Sequence, residues 1–176
     1  SQHYSQVAQE ILATTGSTRG YCLVLDCNEG RLAYELARRS ELIIVGVDTN
    51  VEQIARGRAA LGKAGGYGSR ITLRHVESLD QLPFPESFAN LIVVDGMPDS
   101  GELPGRAARV LSHLQPATGV AIFGPLRSST PVETSLHVSQ WLGGFKASWD
   151  SAKLPEGGWV KVRRDLPPNT GSWTHQ

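Results

Sequence analysis

Cysteine is scarce in this sequence, and so are the residue spacings that bind metals. Cys22 and Cys27 are the only two cysteines, and they stand five residues apart around a predicted strand end. We expect their side chains to point to opposite faces and to form no disulfide bond. No histidine is near them, and the five histidines are scattered along the chain without the spacing of metal ligands. We therefore predict two small, semi-buried thiols and no metal site.

An excess of charge and a long apolar run are also lacking. Lysine and arginine number 17, as do aspartate and glutamate, so the formal net charge is zero. This balance does not favour nucleic acid or an anionic membrane as a partner. No apolar run approaches the length of a membrane span. The chain instead has an ordinary globular composition, 40% apolar and 19% charged, and its 176 residues suit one domain with a substantial core.

The most informative stretch covers residues 21–48. An apolar run, 21–25, meets a polar turn, 26–30, which is followed by a helical pattern and by a second apolar run that ends on Asp48. This pattern predicts a strand, a turn, a helix and a second strand with an acid at its tip. Such a unit places the start of its helix beside the carboxyl ends of two parallel strands, where nucleotide-like ligands bind. A carboxylate at the second tip can accept hydrogen bonds from a ribose diol.

The rest of the chain continues the alternation of helices and strands. Helices are predicted at 3–14, 51–61, 107–114 and 131–142, and strands at 71–76, 88–95, 120–123, 146–149 and 158–162. The last two strands are expected to form a hairpin. This order predicts an α/β sandwich with a mostly parallel sheet.

One domain accounts for nearly the whole chain. No internal repeat is visible, and we assign residues 1–165 to the domain and residues 166–176, rich in proline, glycine and polar residues, to a tail or linker. The chain begins at Ser1 without a methionine, so we expect it to derive from a longer polypeptide.

The element order and several motifs resemble the class I S-adenosylmethionine-dependent methyltransferases. The motifs are the turn at 26–30, Asp48, the segment 77–79, the strand at 88–95 and the region 108–119 before the fifth strand. The resemblance covers residues 3–165. It implies a Rossmann-like three-layer α/β/α sandwich, in which a seven-stranded sheet has the order 3-2-1-4-5-7-6 and strand 7 is antiparallel.

The resemblance also implies a cofactor site for S-adenosylmethionine or its demethylated product, S-adenosylhomocysteine. Its residues would be Asp26, Cys27, Asn28, Glu29 and Gly30 in the first turn, Asp48 and Thr49 at the second strand tip, and Glu77, Ser78 and Leu79 after the third strand. Asp95, at the end of the fourth strand, is the candidate catalytic residue, since methyltransferases place acceptor-orienting groups there. The sequence does not identify the methyl acceptor.

The first turn departs from the family pattern, which is Gly-x-Gly-x-Gly with an acid two residues before it. Only Gly30 of the three glycines is present, and Val24 stands at the position of the acid. Asp26 and Asn28 tolerate left-handed backbone geometry. They add bulk, however, and Asp26 adds negative charge where the methionine portion of the cofactor would lie. A working site and a degenerate turn kept for scaffolding therefore both remain open.

A narrower resemblance concerns the parent protein. The runs 29–33, 66–70 and 88–91 look like a methyltransferase-like domain carried within pyrroloquinoline-quinone-type β-propeller proteins, and 171–176 looks like the point where propeller sequence resumes. This implies a propeller domain of the same parent chain as a partner. A non-catalytic scaffold or interaction domain in such a protein is the alternative to methyl transfer. A dehydrogenase is a more distant alternative, because the first turn lacks a Gly-x-Gly-x-x-Gly fingerprint.

Overall fold

The computed structural model describes residues 2–95, 102–126, 131–154 and 157–165. The helices are α1 (Gln2–Thr15), α2 (Arg31–Arg38), α3 (Val51–Lys63), α4 (Ala107–Leu111) and α5 (Pro131–Leu142). The strands are β1 (Arg19–Leu25), β2 (Glu41–Asp48), β3 (Ile71–His75), β4 (Leu91–Val94), β5 (Val120–Leu126), β6 (Ala147–Leu154) and β7 (Gly157–Arg164). No helix among these residues is long and apolar enough to cross a membrane.

The seven strands form one sheet in the order β3-β2-β1-β4-β5-β7-β6. Strands β1 to β5 run parallel to one another, whereas β7 is antiparallel to both β5 and β6. The α/β prediction is therefore confirmed, and the strand order is the one that the resemblance implied.

The apolar runs form the central strands because helices cover both faces of the sheet there. Successive side chains of a strand point to opposite faces. On β1, Cys22 and Val24 accordingly join a core with α1, α2 and α3, whereas Leu23 and Leu25 join a second core with α4 and α5. All four side chains are fully buried, which explains why β1 shows a continuous apolar run rather than an alternating one.

Several predicted boundaries were wrong. The strand predicted at 88–95 is limited to Leu91–Val94, since Phe88 instead packs against Phe84 and Tyr21. The helix predicted to reach residue 114 ends at Leu111. The late hairpin is longer than predicted, because β6 and β7 pair along their whole lengths, from Ala147↔Arg164 to Leu154↔Gly157. The predicted tail, 166–176, lies outside the described residues.

The expectation that the two cysteines point to opposite faces was also wrong. Both thiols are free, as predicted, but they are fully buried rather than semi-buried, and they belong to the same core. Cys27 lies beyond the end of β1, where the chain has already turned and strand alternation no longer applies.

The connection between β3 and β4 contains no helix over residues 76–90. The proline-rich segment instead contributes Leu79, Leu82, Phe84 and Phe88 to the edge of the second core. As a result, Tyr21 and Ile43, which are paired across β1 and β2, remain 46% and 42% exposed.

Candidate functional site

The candidate site lies at the carboxyl ends of β1 and β4, where the direction of the chain crossovers changes. From β1 the chain passes to β2 on one side, while β4 pairs with β1 on the other side. In open α/β sheets this switch point leaves a crevice between neighbouring loops, and ligands bind there. An aspartate stands at the carboxyl end of each of three neighbouring strands. Asp26 follows β1, Asp48 ends β2 and Asp95 follows β4.

The first turn connects β1 to α2 through three residues in left-handed conformation. Asp26, Asn28 and Gly30 have φ angles of 49°, 51° and 76°. Gly30 directly precedes α2, and a Cβ placed on it would lie 2.9 Å from Leu73 Cδ1. Glycine is therefore needed at position 30 both for its backbone angle and for space, whereas the other two positions hold residue types that tolerate left-handed geometry.

Asp48 anchors this turn to the tip of β2. Its Oδ2 accepts a 2.8 Å hydrogen bond from the backbone N–H of Asn28, and its Oδ1 accepts one of 2.8 Å from the N–H of Asn50. The carboxylate is 6% exposed. Asp48 is not the N-cap of α3, because Asn50 has that role and accepts from Glu52 and Gln53. Asp48 of β2 therefore orders the turn through this hydrogen bond, which the apolar Val24 cannot do.

The side chain of Asn28 connects the tips of β1 and β4. Its Nδ2 donates to the carbonyl oxygen of Asp26 at 2.9 Å and to that of Asp95 at 3.1 Å. Both N–H groups of this amide are therefore directed at backbone acceptors. The backbone carbonyl oxygens of Asp26 and Asp95 therefore each accept a hydrogen bond within the site.

A cavity of about 300 Å³ opens beside these tips. It is lined by Tyr4 of α1, by Asn28, Glu29 and Arg31 of the first turn and α2, by Gln53 of α3 and by Asp95. Within the described part of the chain, Asp95 Oδ2 and Gln53 Oε1 are buried and have no hydrogen-bond partner. Buried acceptors are normally paired. These two unpaired oxygens belong to residues that line one cavity, and a hydrogen-bond donor that reached them would stabilise both.

Positive charge lies at the outer side of this cavity. Glu29 pairs with Arg31 at 3.4 Å and with Arg56 at 3.2 Å, and both arginine side chains are more than half exposed. The cavity therefore has an anionic inner end at Asp95 and a guanidinium at its mouth.

Burial and the neighbouring carboxylates disfavour further negative charge at the strand tips. Burial raises the pKa of Asp95 to about 7; a hydrogen bond from Asn28 opposes this, while Asp48 and Asp26 add to it. Burial, and then the charge of Asp48, also raise the pKa of Asp26. The pKa of the Cys27 thiol is raised by burial and then by Asp48 and Asp95, so Cys27 is not a reactive nucleophile.

A second, more apolar hollow of about 230 Å³ adjoins the cavity and shares Tyr4, Glu29 and Arg31 with it. It lies between α2 and α3, with Tyr34 and Leu61 among its walls. The two spaces together offer a polar end and an apolar end, which is the usual character of a small-molecule site.

Solved structures with the same architecture indicate which class of fold surrounds this cavity. A protein from Methanococcus maripaludis, described as a putative S-adenosyl-L-methionine-dependent methyltransferase, superposes with a TM-score of 0.73 at 18% identity, over 94% of this chain and 87% of that one. The fold is that of the class I methyltransferases. A Podospora anserina methyltransferase solved with bound S-adenosylhomocysteine has a TM-score of 0.64 at 16% identity, over 94% of this chain and 80% of that one.

The methyltransferase fold does not by itself specify methyl transfer. The [4+2]-cyclase SpnF superposes with a TM-score of 0.69 at 14% identity, over 93% of this chain and 82% of that one. No protein-family model and no curated protein sequence matches the chain. The comparisons also give no support to an association with a propeller.

Within this methyltransferase fold, the predicted site residues separate into two groups. The first turn, Asp48 and Asp95 come together, as the hydrogen bonds of Asn28 show. Of the predicted residues, Asn28, Glu29 and Asp95 line the cavity, and Gly30 lines the adjoining hollow. Thr49, Glu77, Ser78 and Leu79 line neither space. Thr49 is exposed, and its carbonyl lies 3.2 Å from His75 Nε2. Glu77 is exposed, and Ser78 accepts from the N–H of Asp80, whose carboxylate binds Arg106.

Three residues that line the cavity were missed at the level of sequence. Tyr4 was predicted only as part of the first helix, Arg31 only as part of the run 29–33, and Gln53 carried no motif. Gln53 could have been found from its place in the first turn of the helix that follows Asp48, since that turn faces the same edge of the sheet.

Proposed function

We propose that this chain binds S-adenosylmethionine and S-adenosylhomocysteine in the cavity and transfers a methyl group to an acceptor. The observation that carries the proposal is the pair of unpartnered acceptors, Asp95 Oδ2 and Gln53 Oε1, opposite the guanidinium of Arg31. An amino-acid group has the complementary arrangement: its ammonium would donate to the two acceptors, and its carboxylate would pair with Arg31.

The chemistry that the cofactor would supply is an electrophilic methyl group on a sulfonium. The residues of this chain would position the two reactants, which is the main requirement of such a transfer. The other carboxylate oxygen of Asp95 would then orient the methyl acceptor, because the pKa that burial raises to about 7 in the free protein would fall once the ammonium pairs with Asp95. This is the role that fits the predicted catalytic assignment of Asp95.

Titration calorimetry with S-adenosylhomocysteine tests the binding proposal, with Arg31→Gln and Arg19→Gln as a matched pair. Both arginines are exposed and ion-paired, but Arg19 lies at the amino end of β1, away from the cavity. We expect Arg31→Gln to weaken binding by roughly threefold to tenfold, since a charged hydrogen bond at a solvated site is worth about 0.7–1.4 kcal/mol. Arg19→Gln should bind like the wild type.

Absence of binding at millimolar S-adenosylhomocysteine would exclude the proposed site. Equal weakening by the two arginine variants would show that the effect is one of overall charge. Retained binding should then be followed by a test for methyl transfer, because the cyclase with this fold shows that other reactions are compatible with it.

A non-catalytic scaffold or interaction domain is the second candidate. It is favoured by Asp48, whose two oxygens each accept a backbone N–H and which is 6% exposed. A carboxylate used in this way is less available to a ribose diol. The same titration decides between the candidates, since the scaffold requires no cofactor affinity. The predicted parent protein with a propeller domain belongs to this second candidate.

A further inference from the structure

We infer that Asp95 makes this site selective for the charged form of the cofactor, so that S-adenosylmethionine binds more tightly than S-adenosylhomocysteine. The inference rests on the proposed function and adds a specificity-determining residue to it. The two compounds share their adenosine and amino-acid groups and differ in the sulfur, which is a sulfonium cation in the first and a neutral thioether in the second. Selectivity between them therefore reports on the charge of the site.

The inner end of the cavity carries negative charge that no described cation neutralises. Asp26, Asp48 and Asp95 stand at three adjacent strand tips and act on one another electrostatically. The two described arginines nearest the cavity, Arg31 and Arg56, are paired with Glu29 at its mouth. The N–H groups of Asn28 Nδ2 bond to backbone carbonyls. Asp95 Oδ2 has no hydrogen-bond partner within the described part of the chain, and the residue is 6% exposed.

A buried carboxylate of this kind is unfavourable until a cation approaches it. The cost of taking a charge out of water is large, and an opposite charge within a few ångströms offsets it. The ammonium that the proposed function pairs with Asp95 is present in both compounds, so its contribution cancels in the comparison. Only S-adenosylmethionine adds a second positive charge, its sulfonium, beside the three carboxylates at the strand tips. Gln53 Oε1, the second unpartnered acceptor, contributes a dipole of the same sign to the cavity.

The selectivity should depend on pH, because only the ionised Asp95 attracts a cation. The titratable or charged groups that face Asp95 are Tyr4 from α1, Glu29 and Arg31 from the first turn and α2, and Asp26, Cys27 and Asp48 from the tips of β1 and β2. Burial, and then the charges of Asp48 and Asp26, raise the pKa of Asp95 to about 7, against the opposing effect of the hydrogen bond from Asn28. Asp95 is therefore mostly ionised at pH 7.5 and almost wholly protonated at pH 5.5. Lowering the pH should remove the preference.

The experiment measures the dissociation constants of both compounds at pH 5.5 and pH 7.5 for the wild type, Asp95→Asn and Glu86→Gln. Glu86→Gln is the matched control: it also removes one negative charge, from an exposed position in the segment before β4.

We expect the wild type to prefer S-adenosylmethionine by roughly tenfold or more at pH 7.5, in line with a close charge pair in a partly screened site. The preference should fall towards equality at pH 5.5. Asp95→Asn should show a clearly smaller preference than the wild type at pH 7.5 and little dependence on pH, and Glu86→Gln should follow the wild type.

A wild-type ratio that is the same at both pH values, with both compounds bound, would overturn the inference and leave the proposed function intact. Failure of both compounds to bind would overturn the proposed function and the inference together. If Asp95→Asn does not fold, the pH dependence of the wild-type ratio still gives the answer.

Discussion

Asn28 completes the first turn with side-chain hydrogen bonds at a position where the methyltransferase resemblance implies glycine. Its backbone adopts the left-handed angle that glycine would take, with φ at 51°. Its amide then bonds to the carbonyls of Asp26 and Asp95, and its backbone N–H bonds to Asp48. The turn is therefore a variant of the glycine turn in which the hydrogen bonds of Asn28 connect the ends of β1, β2 and β4.

Substitution of Asn28 by glycine and by alanine should separate the side-chain bonds from the backbone angle. Asn28→Gly loses the two amide hydrogen bonds but keeps an easy left-handed conformation, so we expect a loss of roughly 1–3 kcal/mol in the free energy of unfolding. Asn28→Ala loses the same bonds and adds left-handed strain, so its loss should be larger by about 1 kcal/mol. Urea unfolding of the three proteins measures both differences. Equal stability of wild type and glycine variant would mean that the amide bonds contribute nothing.

The sequence predicted which residues approach the site, but not what each one contacts. Asp48 was identified from its place at a strand tip, and it does reach the first turn. Its partner, the N–H of Asn28, lies 20 positions away in the chain, and no periodicity records such a contact. The unpaired oxygen of Asp95 is likewise a property of the packed molecule, because it depends on the donors of Asn28 being used elsewhere.

At the scale of elements, α3 packs closely against the first turn, and Gly57 permits the contact. A Cβ on Gly57 would lie 2.6 Å from Leu73 Cδ1 and 2.7 Å from the carbonyl oxygen of Glu29. The backbone of Glu29 belongs to the turn and cannot move away easily. Because Gly57 has no side chain, α3 can approach the first turn this closely.

Alanine at position 57 should therefore destabilise the protein, whereas alanine at position 62 of the same helix should stabilise it. Gly57→Ala meets backbone and should cost roughly 1–3 kcal/mol, as overpacking does. Gly62 has nothing within 4 Å of an added Cβ, so Gly62→Ala should gain about 0.5–1 kcal/mol from helix propensity alone. Thermal unfolding of the two variants gives the comparison. A stabilised Gly57→Ala would show that α3 can shift away from the turn.

Periodicity predicted the existence of these helices and strands more reliably than it predicted their ends. The helices begin and end close to their apolar stripes, because burial of one face is what stabilises them. Strand ends depend instead on a partner. β6 and β7 extend beyond their apolar residues because each continues the ladder of the other. Phe88 lies outside β4, and its ring packs against the rings of Tyr21 and Phe84.

At the scale of the whole molecule, the two faces of the sheet are covered unequally. α1, α2 and α3 bury one face of β1 and β2. On the other face the short segment 76–90 takes the place of a crossover helix, and its side chains do not extend over Ile43. The pair of neighbours Ile43 and Ile44 shows the difference, since Ile44 is fully buried and Ile43 is 42% exposed.

The unequal cover predicts unequal costs for the same substitution at these two adjacent positions. Ile44→Ala removes a fully buried side chain from the core with the three helices, and we expect it to cost about 2–5 kcal/mol in the free energy of unfolding. Ile43→Ala removes one that is paired with Tyr21 and partly hydrated, so its cost should stay below about 1 kcal/mol. Both changes lower the strand propensity of β2 equally, so this contribution cancels in the comparison. Denaturant unfolding at one pH measures the two values. Equal costs would mean that the face bearing Ile43 is as well covered as the other, and that residues outside the described ranges, or a second molecule, complete the missing layer.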